Sequence, residues 1–318
     1  MAFRAPGAIG SAARVGKLFG GDSAQEVAHR TSQDSGVDAP RTSEVGNSTL
    51  EEMDIQTTIK WPSVRDVFRK FVVHCELRRL RRRPRHSETI TNLLGAPFSV
   101  PDAASFLHGY EEIVIQNIYA FTCPHDQPRI IDCGANVGLS VLNFRRQHPE
   151  ARITAFEPDP VIFAVLTKNV LSAGFADVDL IQSAVWDKNG TLSFSREGAD
   201  AGRLDESGSD LTVETRALSE YLQSRVDFLK MDIEGAEVRV LQSCRSNLRN
   251  VQRLFVEYHS FADKPQELSE LLALLKETGF RYVVHPAFAA RQPFSHVTTH
   301  LGMDLQLNIF AFREPASP

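Results

Sequence analysis

Cysteine is scarce in this chain and falls into no pattern. The four residues, Cys75, Cys123, Cys133 and Cys244, form no CxxC pair. That argues against a disulfide framework or a structural zinc site, and for a reducing compartment, the cytoplasm. No uninterrupted apolar run approaches the roughly 18 residues that span a bilayer, so no integral membrane segment is predicted. Excess positive charge is also missing: the formal net charge is -5, which gives no general reason to bind nucleic acid. The dinucleotide fingerprint GxGxxG does not occur. What is present is a chain of 318 residues, 42% hydrophobic and 24% charged, the profile of a globular protein with one sizeable domain and an extension.

Residues 1–60 are rich in Ser, Gly, Ala and Thr and lack sustained periodicity. Such a composition buries too little surface to offset chain entropy, so a disordered tail is expected. Its first 21 residues carry Arg4, Arg14 and Lys17 and no acid, a faint likeness to an organelle transit peptide; no compact apolar core marks a secretory signal. From Trp61 the pattern turns helical, and residues 61–128 read as a helical extension. Val64, Val67, Phe68, Phe71, Val72 and Cys75 form one stripe at helical spacing. The helix ends in a basic run, Arg78, Arg79, Arg81, Arg82, Arg83 and Arg85. That run suits either an anionic lipid surface, an acidic partner or RNA, or else an ordinary solvated helix end.

From Arg129 short apolar strands alternate with amphipathic helices. The strands read as "RIIDC", "RITAFE", "VDLIQSAV", "DFLKMDI", "RLFVEYH", "RYVVHP" and "LQLNIFAF", with helices near 138–147, 160–173, 234–244 and 264–278. This rhythm predicts a doubly wound α/β domain over residues 129–314, mostly parallel, with helices on both faces. Ligands bind such sheets beyond the carboxyl ends of the strands.

The turn after the first of these strands, "DCGANVGLS", places Asp132, Gly134, Asn136 and Gly138 where the chain must bend into a helix. The glycines let the backbone approach a ligand, and the acid and amide suit an ammonium-bearing ligand without phosphates. Glu157 ends the next strand about twenty residues on, where a carboxylate accepts from ribose hydroxyls. An adenosine with an amino-acid tail fits this pattern better than NAD does. The bland alternative is a glycine turn closing an α/β unit with Glu157 merely exposed.

The stretches "IIDCGANVGLS", "ITAFEPDP", "SAVWDKNGTLSF", "FLKMDIEGAEVRVL" and "FVEYH" resemble, in order, the motifs of the FkbM family of S-adenosylmethionine-dependent methyltransferases. The resemblance runs from about Ser99 to Phe312. It implies the class I methyltransferase fold, a Rossmann-like seven-stranded sheet whose last strand inserts antiparallel beside its neighbour. It also implies O-methylation of a small-molecule, sugar or glycan hydroxyl. Cofactor contacts are implied for Asp132, Gly134, Ala135, Asn136, Gly138, Glu157, Ala184 and Asp232. One departure stands out: where the family has a Thr-Leu-Asp triplet, this chain reads "VETRALSEYL", with Ser219 in place of the acid. A non-catalytic scaffold that keeps the cofactor fold and is recruited through the arginine-rich helix is the alternative.

Methyl transfer needs an acceptor oxygen aligned with the methyl group and a route for its proton. Asp232 and Glu234 follow the fourth strand, and Glu257 and His259 share parity at the end of the fifth. The expected catalytic set is Asp232, His259 and Glu234, with His259 as the candidate base and Asp232 positioning the acceptor or the cofactor's ammonium. The same group with Glu257 would also suit Mg²⁺ or another divalent ion. Metal-free chemistry ranks first, since sequence does not show convergence on one point. The connection from Pro286 to Asp304, with Phe288, Arg291, Phe294, His296 and His300, reads as a lid. Trp186 is placed either near the adenine or in the core.

Overall fold

Strand and helix alternate as the sequence predicts, but two segments take shapes that periodicity does not show. The computed structural model describes residues 64–196, 202–204, 211–296 and 298–313; the expectations for residues 1–60 lie outside them. In chain order the elements begin with α1 (Val64–Arg81), β1 (Thr89–Thr91), β2 (Phe98–Val100), α2 (Ala103–Gly109) and a π-helical turn, Tyr110–Ile115. They continue with β3 (Arg129–Cys133), α3 (Leu139–Gln147), β4 (Arg152–Phe156), α4 (Pro160–Ser172), β5 (Asp179–Ile181) and β6 (Ala184–Trp186). After these come β7 (Gly190–Arg196), β8 (Gly202–Leu204), β9 (Leu211–Ala217), α5 (Leu218–Tyr221), β10 (Phe228–Met231) and α6 (Glu237–Ser243). The chain closes with β11 (Arg253–Phe261), α7 (Leu268–Glu277), β12 (Arg281–Ala289) and β13 (Met303–Phe312).

The main sheet has seven strands in the order β12-β13-β11-β10-β3-β4-β5. Strands β11, β10, β3, β4 and β5 run parallel, and β13 lies antiparallel between β11 and β12. This is the class I methyltransferase arrangement. Alternating residues of the central strands feed two cores. Ile131, Leu229, Met231 and Val256 pack with Val240 and Leu241 of α6 and Leu271 and Leu275 of α7. Ile130, Phe228 and Phe255 pack on the opposite face with Val141, Leu142 and Phe144 of α3 and Leu166 and Val170 of α4. Helix α4 begins as its sequence dictates: Asp159 accepts from the Val161 amide at 2.7 Å, Pro160 takes the first turn, and Gly174 ends the helix at φ 84°.

The segment before β3 does not stand apart as an extension. Leu80, Phe98, Val100, Phe106, Tyr110 and Tyr119 join the α3–α4 core, and Asn169 of α4 bonds both the amide and the carbonyl of Ser99. Two short strands accompany its helices. Of the stripe read on α1, the burial of Val64, Val67 and Phe68 lies outside what is described; Phe71 is 62% exposed and Val72 and Cys75 are exposed too, while Leu80 is buried and Leu77 packs against the same core. Which side of a helix is covered depends on the neighbouring core, and here that core contacts the last turns. The basic run is partly structural. Arg79 bonds Glu76, Thr89 and the Ile90 carbonyl, Arg83 bonds Ser87 and the Glu88 carbonyl, and Arg85 pairs with Asp102.

The stretch read as a third strand divides at Ser183. β5 stays in the main sheet, whereas β6 joins a separate four-stranded sheet of order β6-β9-β7-β8. The connection read as 286–304 is shorter, because β12 runs to Ala289 and β13 starts at Met303. Among the described residues no helix is long and apolar enough to cross a membrane, and all four cysteines are free.

Candidate active site

A cavity of about 540 Å³ lies over the carboxyl ends of β3, β10 and β11. Its floor is Gly134, Ala135 and Asn136 from the turn after β3, Lys230, Asp232 and Glu234 from the end of β10, and Glu257 from β11. One wall comes from the segment before β3, with His108, Glu112 and Tyr119; the other comes from the β12–β13 hairpin, with Phe288, His300 and Gln306.

The turn after β3 is fixed from beneath. The amides of Gly134 and Ala135 donate to the Phe156 carbonyl, and the Asn136 amide donates to Glu157 at 3.0 Å. Gly134 sits at φ 86°, and a Cβ there would stand 1.9 Å from the Asp232 carbonyl oxygen, so no side chain fits. These amides are thus spent on the fold rather than offered to a ligand. Asp132 lies wholly beneath the turn. It accepts from Ser140 at 2.5 Å and faces the Lys230 ammonium at 3.3 Å. Lys230 is buried as well, donates to the Gly134 carbonyl at 2.8 Å, and reaches Asp232 at 3.1 Å. Burial would lower its pKa, but Asp132 and Asp232 hold it well above the ordinary value, so the ammonium persists.

Of the residues expected to meet the cofactor, Gly134, Ala135, Asn136 and Asp232 line the cavity. Asp132, Gly138, Glu157 and Ala184 stand outside its lining. Gly138 starts α3 at φ 92° against Leu166, and Ala184 is buried in the small sheet. Glu157 accepts from Asn136 and from the Asp159 amide at 2.9 Å, yet burial pushes its pKa up to about 7. Trp186 belongs to the core, under the guanidinium of Arg239 at 4.6 Å from its ring. Ser219 lies on α5, away from the cavity lining.

Asp232, Glu234, Glu257 and His259 do converge. His259 Nε2 stands 3.5 Å from Glu234, 3.9 Å from Glu257 and 4.0 Å from Asp232. Its side chain is 1% exposed against 24% for Asp232, and it lies behind the three carboxylates rather than on the cavity wall. Burial opposes a charge on the ring, but Glu237, Glu234 and Asp232 together hold its pKa well above the usual histidine value. Set behind the carboxylates and outside the cavity lining, the ring is not placed to act directly on substrate as a base. Glu234 and Glu257 are each pushed up to about 8, first by burial and then by their acidic neighbours against His259.

Sequence reasoning missed the residue that organises this cluster. Glu237, 1% exposed, meets His259 Nδ1 at 2.9 Å and accepts from the amides of Ile233 and Gly235. One carboxylate thus fixes the ring and shapes the turn in which Glu234 takes φ 57° and Gly235 φ 97°. This is why α6 begins at Glu237 rather than at 234. The signal was the third acid in "DIEGAE", which the strand parity argument passed over. Gln306, also unremarked in the sequence, bonds Glu257 from β13.

Residues 132–282 match the model of the methyltransferase FkbM domain. Methyltransferase sdnD of Sordaria araneosa is 29% identical over 230 residues, covering 59% of this chain and 87% of that protein. The 2-O-methyltransferase NoeI of Sinorhizobium fredii is 30% identical over 156 residues, covering 41% of this chain and 63% of NoeI. The 31-O-demethyl-FK506 methyltransferase FkbM of Streptomyces tacrolimicus is 28% identical over 207 residues, covering 51% and 77% respectively. The matched span, a little under half of the chain, holds the glycine turn, the strand-end acids and the imidazole behind them, so it is in the residues of the candidate site that this chain is similar to the methyltransferase FkbM domain.

Proposed function

We propose that the protein is an S-adenosylmethionine-dependent O-methyltransferase acting on a hydroxyl of a small molecule, sugar or glycan. The observation that carries this reading is the convergence of Asp232, Glu234 and Glu257 on a cavity floored by the glycine turn. The donor set fits the cofactor: acids outnumber cations around the cavity, which suits an ammonium and a sulfonium and disfavours a pyrophosphate. The names of two relatives, NoeI and FkbM, support oxygen as the acceptor atom.

S-adenosylmethionine supplies an electrophilic methyl group on sulfur when bound. Asp232 would hold the ammonium of its amino-acid end beside the turn of Gly134, Ala135 and Asn136, and Glu157 would hold the ribose side, with Asp132, Gly138 and Ala184 supporting the same seat. Asp232, the strand-end acid most open to the cavity, orients the acceptor hydroxyl. Glu234, which lines the cavity from a left-handed turn, would accept the proton that the acceptor hydroxyl gives up. His259 acts through these acids as a positioning residue, and the hairpin carrying Phe288 and His300 covers the acceptor.

Titration calorimetry separates this reading from its rivals. Binding of S-adenosylmethionine but not NAD is expected, followed by methyl transfer to members of a hydroxyl-compound panel. Cofactor binding with no turnover on any hydroxyl class would favour the scaffold reading, and NAD binding would overturn both.

A further inference from the structure

Sequence placed four potential ligands near one another; the fold adds the orientation that a metal centre needs. His259 is buried, and its Nδ1 is committed to Glu237 at 2.9 Å. That contact is the carboxylate–histidine relay that fixes the ring of a metal-bound imidazole. It leaves Nε2 facing Glu234 at 3.5 Å and, on the side of the cluster that converges with it, Glu257 at 3.9 Å and Asp232 at 4.0 Å. One ligand atom from each of Asp232, Glu257 and His259 falls within 4.8 Å of the others. Ligands held about 2.1 Å from an ion stand about 3 Å apart when cis and about 4.2 Å apart when trans, so small side-chain shifts close the site.

We propose that Asp232, Glu257 and His259 bind a divalent cation beside the acceptor hydroxyl. The two oxygens of Asp232 divide the work. Oδ2 meets Lys230 at 3.1 Å, while Oδ1 is the atom nearest the imidazole. Gln306 stands at the same point, its amide nitrogen 3.5 Å from His259 Nε2; turning the amide over would present its carbonyl oxygen as a further ligand. Two carboxylates, one imidazole and a carbonyl suit Mn²⁺ or Mg²⁺ better than a thiophilic ion. Asp232 and Glu257 both reach the cavity, so an ion between them would touch an acceptor oxygen and orient it. Among the described residues the other triad of potential ligands, Cys123, His125 and Asp227, is already engaged: Asp227 accepts from the Arg129 amide and from Arg225.

The inference rests on reading this cavity as the site of methyl transfer, and its test keeps the two apart. Full-length protein stripped with a chelator is titrated with Mn²⁺, and free Mn²⁺ is followed by its electron paramagnetic resonance signal. One tightly bound Mn²⁺ per chain is expected, displaced by excess Mg²⁺. Glu257→Gln and Asp232→Asn should each abolish that binding, and Glu237→Gln should weaken it by roughly 10–100-fold, the usual effect of removing a ligand's supporting partner. Thermal melts of every variant confirm folding, and the Asp232 variant decides the matter if Glu257→Gln does not fold. Absence of bound Mn²⁺ in the wild type, or unchanged binding in the folded variants, overturns the cation site. S-adenosylmethionine calorimetry on the stripped protein runs alongside: failure there sinks the methyltransferase reading and leaves the Mn²⁺ result standing on its own.

Discussion

Glu157 is the buried group at which the proposed cofactor seat would join stability to ligand binding. Burial lifts its pKa to about 7 even though two amides donate to it. Below the ordinary carboxylate range both folded and unfolded chains are protonated, and the fold keeps the full benefit. As pH rises toward the folded pKa the unfolded chain has released its proton first, so that contribution to stability is lost. Ribose hydroxyls donating to this carboxylate, as proposed, would favour its ionised form. Cofactor binding is therefore expected to release protons at pH values between the ordinary and the shifted pKa, and to tighten as pH rises through the latter. Calorimetry in buffers of different ionisation enthalpy measures the release, and Glu157→Gln should remove it. Glu157→Ala should weaken binding by about 1–3 kcal/mol, the cost of leaving buried partners unpaired. Equal heats in all buffers together with unchanged affinity in both variants would take Glu157 out of the cofactor site. The strand-end acids were legible in the sequence because parity and strand boundaries were. The Glu237–His259 contact was not, since it joins residues 22 apart through a turn whose left-handed backbone no periodicity reveals.

At the scale of elements, α2 is anchored by one side chain. Asp102 caps it by accepting from the amides of Ala104 and Ser105, and its other oxygen accepts from the His86 amide at 2.6 Å and from Arg85 at 2.9 Å. Burial alone would raise its pKa, but these donors hold the carboxyl well below the usual range. The stability it confers is therefore present above the ordinary carboxylate pKa and is lost as pH falls through the depressed one. Asp102→Ala should cost about 2 kcal/mol, the sum expected for a lost cap and unpaired buried donors. Asp102→Asn should recover part of that, because the amide oxygen still caps. Urea midpoints compare the three proteins, and an unchanged midpoint in Asp102→Ala would show that α2 is held by its apolar contacts alone. Helices α3 and α4 were readable from their sequence because their caps and stops are local. The division of β5 from β6, and the buried face of α1, were not, because each depends on a partner distant in sequence: β9 pairs with β6, and the core before β3 covers Leu80 rather than Phe71.

For the whole molecule, the family match and the cavity do not coincide. The matched span is 132–282, yet both walls of the cavity lie outside it: His108, Glu112 and Tyr119 precede it, and Phe288, His300 and Gln306 follow. In the proposed reading the floor seats the cofactor and aligns the reacting oxygen. The walls lie outside the matched span, and acceptor choice is expected to be set there. Phe288 is the clearest case. Its ring lies 5.6 Å from that of His300 and gives the acceptor side an apolar face on which a sugar or another ring can rest. Phe288→Ala should raise KM for an accepted hydroxyl compound by about 10-fold, a loss of about 1.4 kcal/mol of uniform binding, with kcat and cofactor affinity little changed. Steady-state kinetics at saturating S-adenosylmethionine, paired with cofactor calorimetry, gives both numbers. A matching loss of cofactor affinity would assign the hairpin to the cofactor seat, and a fall in kcat at constant KM would make Phe288 part of transition-state alignment rather than of acceptor recognition.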